Sequence, residues 1–253
     1  MRLFERMAED GKTLFRWRSY IPLLFIAPLV LAFREAAHME ELMGDVAEDV
    51  WVLFCFIVSL AGLALRAYTV GFVPAGTSGR NAREQRAARL NTTGMYSVVR
   101  NPLYLANFII LLGVVLSLKA WWLAVIVTLS FFAYMERIVM AEESFLAEKF
   151  GGEYAAWCAK TPVIVPKFSL WQKPDMPFSV RTVLKREYPG LLGIGTAFFV
   201  TEVVTDLVFE GEPFYDWLVE DMAWPVIYAL IICLCLTLRY LKKNTTLLYV
   251  TGR

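Results

Sequence analysis

The sequence predicts an all-α integral membrane protein of about six transmembrane helices. Three observations predict it. Of the 253 residues, 58% are hydrophobic and 15% aromatic, against the ~45–50% apolar content of soluble domains; the mean hydropathy is +0.51. Charged residues make up 19% of the chain and are gathered into blocks. Between the blocks lie apolar runs approaching the roughly 17–25 residues that cross a bilayer as a helix. Helices satisfy every backbone polar group within the segment, as lipid requires.

The first run is Tyr20–Phe33, beginning at Trp17 at the earliest. The second is Val50–Leu65. The third, Leu103–Leu118, and the fourth, Ala120–Met135, are parted only by Lys119 and predict a tight helical hairpin. The fifth is Gly190–Val208 and the sixth Met222–Leu238. Three parts follow: an N-terminal arm with the first span (1–49), a core (50–168), and a linker with a C-terminal two-span hairpin (169–253).

Orientation follows from where Lys and Arg fall. Segments 34–49 and 209–221 are acidic, the first with Glu35, Glu40, Glu41, Asp45, Glu48 and Asp49. Segment 66–100 is basic, from Arg66 through Arg80, Arg83, Arg86 and Arg89 to Arg100. The N-terminus and the tail (Arg239, Lys242, Lys243) are also basic. With six spans all basic pieces fall on one side, so both termini, 66–100 and 136–189 are expected in the cytoplasm. The charged N-terminus lacks the pattern of a cleaved signal peptide. Cys55, Cys158, Cys233 and Cys235 form no disulfide framework and no zinc-like spacing, and no metal site is expected.

The stretch GMYSVVRNPLYLANF, residues 94–108, carries more chemistry than an anchor needs. Pro102 suits the first turn of the third span, where its missing N–H is no loss. That does not explain Arg100 and Asn101, which sit at a helix N-terminus where anions bind well. Upstream, Ala82–Leu90 reads as a short helix with Arg83, Arg86 and Arg89 on roughly one face. These arginines are either a positive-inside anchor on anionic headgroups or a collar that receives an anionic lipid substrate. Beyond the fourth span, Ile138, Met140, Phe145, Leu146, Phe150, Tyr154 and Trp157 recur at helical spacing. Glu142 and Glu143 are adjacent there, a costly pair near lipid, or else the solvated face of an interfacial helix. Gly151–Gly152 breaks the helix, and Pro162 and Pro166 keep TPVIVPKF extended.

Together these stretches resemble the isoprenylcysteine carboxyl methyltransferase and phospholipid methyltransferase superfamily of membrane enzymes. The resemblance covers about residues 60–168 and rests on LNTTGMYSVVRNPLYLANFIILLGVVL, the hairpin, EESFLAEKFGGEYAAW and TPVIVP. It implies a cytoplasmic-face pocket for S-adenosylmethionine, with Arg100, Asn101, Pro102 and Tyr104 standing for an Arg-His-Pro-x-Tyr motif. Glu142 and Glu143 stand for its Glu-Glu pair, and Tyr96 and Tyr154 for further cofactor contacts. Asn101 replaces the usual His. The single histidine, His38, falls in a segment expected outside, so a His-based mechanism is weakened more than cofactor binding. An amide still donates a hydrogen bond.

An acceptor that is already an anion needs alignment rather than a base. Arg100, with Arg137 second, suits a carboxylate or phosphate, and Arg83, Arg86 and Arg89 suit a lipid phosphate. A lipid amine would need a base, Glu143 or Tyr104. The expected activity is therefore methyl transfer to a membrane-embedded anion, a lipid phosphate or a prenylcysteine carboxylate, with Arg100, Glu143 and Arg137 as catalytic candidates. The partners are a lipid or lipidated substrate and the membrane, with no nucleic acid. The alternatives are a phospholipid amine N-methyltransferase, an NADPH-dependent membrane reductase, for which the chain is short, and a non-catalytic scaffold. Glu202 and Asp206, four apart in the fifth span near its outer end, read first as interfacial or structural, and Gly190, Gly193 and Gly195 as helix packing.

Overall fold

The computed structural model describes residues 24–74, 76–77 and 87–253, with 6–7, 9–11 and 13–14. The start of the first predicted span, Arg83, Arg86 and most of the predicted helix 82–90 lie outside the described residues. Among the described residues every regular element is helical, and one isolated bridge pairs Gly94 with Gln172. The all-α fold is as the composition predicts.

Helix α1 is Ile26–Met43. It runs on through the acidic stretch expected to be a loop, because Ala, Glu, Met and Leu there are strong helix formers. Gly44, at φ 76, ends it. Helix α2 follows at once, Asp45–Gly71, and is longer at both ends than the predicted Val50–Leu65. Arg66 thus lies inside a helix, not in a loop. An apolar-run reading stops at a charge; the helix does not, because the charge has a buried partner.

Helix α3 is the single turn Met95–Val98. Helix α4, Pro102–Ser117, opens on its proline as predicted. Lys119, at φ 58, makes the turn of the hairpin. Helix α5 is Trp121–Cys158, with non-helical angles at Gly151 (φ 52, ψ −120). The fourth span and the amphipathic stretch are therefore one element, and the expected break is a kink. Helix α6, Val180–Val204, starts well before Gly190 and carries Pro189 inside; the Ser179 hydroxyl caps it by accepting from Thr182 N. A π-helical turn, Thr205–Glu210, continues it. Helices α7 (Phe214–Glu220) and α8 (Ala223–Asn244) complete the chain.

Among the described residues four segments are long and apolar enough to cross a membrane: Val46–Gly71, Trp121–Cys158, Val180–Glu210 and Ala223–Asn244. Helix α4 is shorter but runs antiparallel between α2 and α5. Its contact with α2 is close because glycines line it. A Cβ on Gly113 would lie 2.3 Å from Ser59 Oγ and 2.5 Å from Cys55 O; one on Gly62 would lie 2.8 Å from Ala106 O. Ser59 Oγ donates to Ile110 O at 2.9 Å. Small residues allow such backbone approach in lipid, where packing replaces the hydrophobic effect. Helix α6 joins α2 through Phe56 and Phe198, edge to face at 5.1 Å. It joins α8 through stacked Phe199 and Tyr228 at 4.4 Å. At one end of this bundle Lys119 bridges Glu48 at 2.7 Å, both nearly buried. That pair shares a cavity with Glu202 and Asp206, which are buried. The sequence motifs gather at the other end.

Candidate functional site

Arg100 lies in the extended link between α3 and α4. Its backbone is fixed by the proline-rich segment: Arg100 N donates to Pro162 O at 2.8 Å, and Lys167 N to Val98 O at 2.9 Å. Residues 162–167 thus strap the link from outside. Trp157 Nε1 donates to Tyr96 O at 3.0 Å, and Asn101 Nδ2 to Val163 O at 3.1 Å. Pro102 is fully buried at the start of α4.

The side chains converge on the far part of α5. Arg100 Nη1 bridges Glu143 Oε1 at 2.8 Å and lies 3.2 Å from Cys158 Sγ. Burial works against the Arg100 charge and is the largest single influence, but Glu143, Cys158 and Tyr154 together more than offset it and hold the guanidinium charged. One turn into α4, Tyr104 Oη donates to Glu142 Oε1 at 2.7 Å. The Gly151 kink returns the last turns of α5 to this place, bringing in Tyr154 and Cys158. Arg100 Nε and Tyr154 Oη are buried and lack a hydrogen-bond partner. Buried polar atoms are normally paired, so two orphans side by side in one site ask for an explanation. A ligand with an acceptor group for both supplies one. The strap does not need these side chains, since main-chain bonds already hold it.

Most predicted residues meet here: Arg100, Asn101, Pro102, Tyr104, Glu142, Glu143 and Tyr154. Tyr96 contributes its carbonyl, while burial first and Glu142 second push its phenol well above the ordinary tyrosine range. Arg137 is placed apart: its Nη1 donates to Ala133 O of its own helix at 2.6 Å. Arg89 bridges Asp175 at 2.5 Å at a shallow cleft lined by Thr69, Asn91, Thr93 and Tyr96. Sequence reasoning missed Cys158, Trp157 and the carbonyls of Pro162 and Val163. Cys158 had no motif; Trp157 read only as part of an apolar stripe.

A second polar group lies beside the first. Arg66 in α2 makes a two-pronged bridge to Glu187 in α6, Nε to Oε2 at 2.8 Å and Nη2 to Oε1 at 3.3 Å. Arg66 Nη1 also donates to Asn107 Oδ1 of α4 at 2.5 Å. The two side chains are 14% and 5% exposed.

Residues 53–153 match the family model described as phospholipid methyltransferase, so the resemblance carried by the Arg-Asn-Pro-Leu-Tyr and Glu-Glu motifs is borne out over that segment. Two curated relatives are similar. The nickel-cobalt-cadmium resistance protein NccN of Alcaligenes xylosoxydans xylosoxydans is 29% identical over 127 residues, 49% of this chain and 56% of that one. The cobalt-zinc-cadmium resistance protein CzcN of Cupriavidus metallidurans is 31% identical over 83 residues, 33% of this chain and 38% of that one. The chain thus spans about half or less of the curated relatives it matches. No solved structure matches it.

Proposed function

With residues 53–153 matching the phospholipid methyltransferase family, we propose that this membrane protein transfers a methyl group from S-adenosylmethionine to an oxyanion on a lipid or lipidated substrate. The observation that carries the reading is the pair of orphaned buried donors, Arg100 Nε and Tyr154 Oη, beside two carboxylates. That set suits an amino-acid end bearing one carboxylate and one ammonium, the end S-adenosylmethionine presents. Arg100 and Tyr154 would take the carboxylate; Glu142 and Glu143 would take the ammonium or ribose hydroxyls. The bound cofactor supplies a methyl group made electrophilic by its sulfonium.

The chain's own residues orient and exclude water. The 162–167 strap covers the link carrying Arg100. Tyr104 fixes one oxygen of Glu142, so the carboxylate is preset before anything binds. An oxyanion acceptor attacks without prior loss of a proton, which fits a site with no imidazole: His38, the one histidine in the sequence, sits in α1 close to the Gly44 turn, at the other end of α2. Alignment and fixed charge then supply the rate. Arg89 at the cleft mouth is the described member of the basic collar proposed to receive the acceptor. Both termini and this site are assigned to the cytoplasmic side.

The test uses purified full-length protein in detergent, methyl-labelled S-adenosylmethionine, total lipid extract and, in parallel, a farnesyl-cysteine analogue. Label enters one of the two acceptors with wild type. Arg100→Ala and Glu143→Ala lose about 100-fold or more of that transfer, the scale of losing a group that aligns the methyl donor, with insertion unchanged. Full activity in both variants would overturn the assignment.

A further inference from the structure

We infer that Arg66 is the anion anchor for the methyl acceptor, and that Glu187 of the C-terminal hairpin positions it. The inference rests on the methyl-transfer reading, and adds to it a residue pair half of which lies outside the family match.

An Arg–Glu pair within membrane helices is costly and marks function by default. As a mere fastener it is a poor choice, since a well-packed apolar pair does as well or better. Its geometry is that of a presented guanidinium. Glu187 grips one edge through Nε and Nη2, and Asn107 holds Nη1. Those bonds use three of the five N–H groups an arginine carries, leaving two for another acceptor. Three helices, α2, α4 and α6, each contribute one member, so the fork cannot turn freely.

Its position is next to the proposed donor pocket. Asn107 follows Tyr104 by three residues, so both lie on one face of α4, and Tyr104 holds Glu142. The buried Tyr96 phenol is near enough to both groups to feel the charges of Glu142, Arg186 and Arg66. Arg66 therefore stands about one helical turn deeper in the membrane than the Tyr104–Glu142 contact. That depth suits an oxyanion at the head of a lipid chain. Glu187 lies in α6, beyond residue 153. The hairpin thereby completes the acceptor side of the site instead of serving as an added anchor.

The experiment compares wild type, Arg66→Lys, Glu187→Gln and the swapped pair Arg66→Glu/Glu187→Arg, all full length. Three quantities are read: cofactor affinity by calorimetry, KM and kcat with phosphatidic acid and with the farnesyl-cysteine analogue, and thermal stability. Both single variants keep cofactor affinity within about twofold and raise KM roughly tenfold for whichever acceptor wild type uses, the scale of one charge-assisted hydrogen bond. The swapped pair regains stability but not KM, because the cation now stands on α6. Unchanged KM in both single variants, or full recovery of KM in the swap, overturns the inference. Phosphatidic acid and the analogue separate the two sources of the oxyanion. If wild type binds no cofactor, the methyl-transfer reading falls by itself. Retention of phosphatidic acid from phosphatidylcholine micelles, read by native mass spectrometry, then decides for Arg66: loss in Arg66→Lys supports the anchor, and equal retention removes it.

Discussion

At the scale of single residues, Tyr154 offers a separable test of binding against folding. Its hydroxyl is buried without a partner, and such a group costs ~1–3 kcal/mol when left unsatisfied. Tyr154→Phe removes that cost. The variant should be as stable as wild type or more so in a thermal unfolding series. It should also bind S-adenosylmethionine roughly tenfold more weakly, the loss of one hydrogen bond to a charged group. A hydroxyl that merely packs would give the first result without the second. This divergence identifies a binding residue, because a structural one loses stability and affinity together. Cys158 is a contrasting neighbour: it already has Arg100, so it adds no orphan to the site.

At the scale of elements, the seam between α2 and α4 governs the site. Gly113 and Gly62 face backbone atoms at 2.5–2.8 Å from where a Cβ would be. Gly113→Ala or Gly62→Ala therefore pushes α4 away, at a cost of about 1–3 kcal/mol, measured by unfolding in detergent. Tyr104 and Asn107 move with α4, so transfer falls too. Gly193 meets open space, and Gly193→Ala should leave both unchanged. Much of this level was legible in the sequence. Pro102 marked the start of α4 and Gly151 the kink, because each changes the backbone locally, and Lys119 marked the hairpin turn, because its charge parts two apolar runs. Arg100, Tyr104, Glu142 and Glu143 were legible through their motifs. Arg66 was misread as loop charge because its partner, Glu187, is 121 positions away, and no local pattern predicts such a pair. The same holds for Glu48 with Lys119; the reach of α1 past Phe33 was missed for another reason, because an apolar-run count stops at the charges although the residues there are strong helix formers.

At the scale of the whole molecule, α6 and its π turn join the site end to the acidic end, so residues 173 and 215 lie on opposite faces. Cysteines placed at exposed Lys173 and Tyr215 in intact cells test the orientation proposed from the Lys and Arg balance. An impermeant thiol reagent should label Tyr215→Cys from outside and Lys173→Cys only after permeabilisation; the reverse pattern would invert the protein and move the site outward. Helix α2 carries a further consequence. Between Asp49 and Arg66 it holds no charge, and its two flanking ion pairs lock it, one onto α6 and the other onto the turn between α4 and α5. Glu48 and Arg66 are separated by about 27 Å at ~1.5 Å per residue, close to the ~30 Å hydrocarbon thickness. The two bolts make α2 a ruler. It cannot slide to suit a thinner or thicker bilayer, so the lipid must deform or the bundle must tilt, and the depth at which a lipid head meets Arg66 is set by the membrane as much as by the protein.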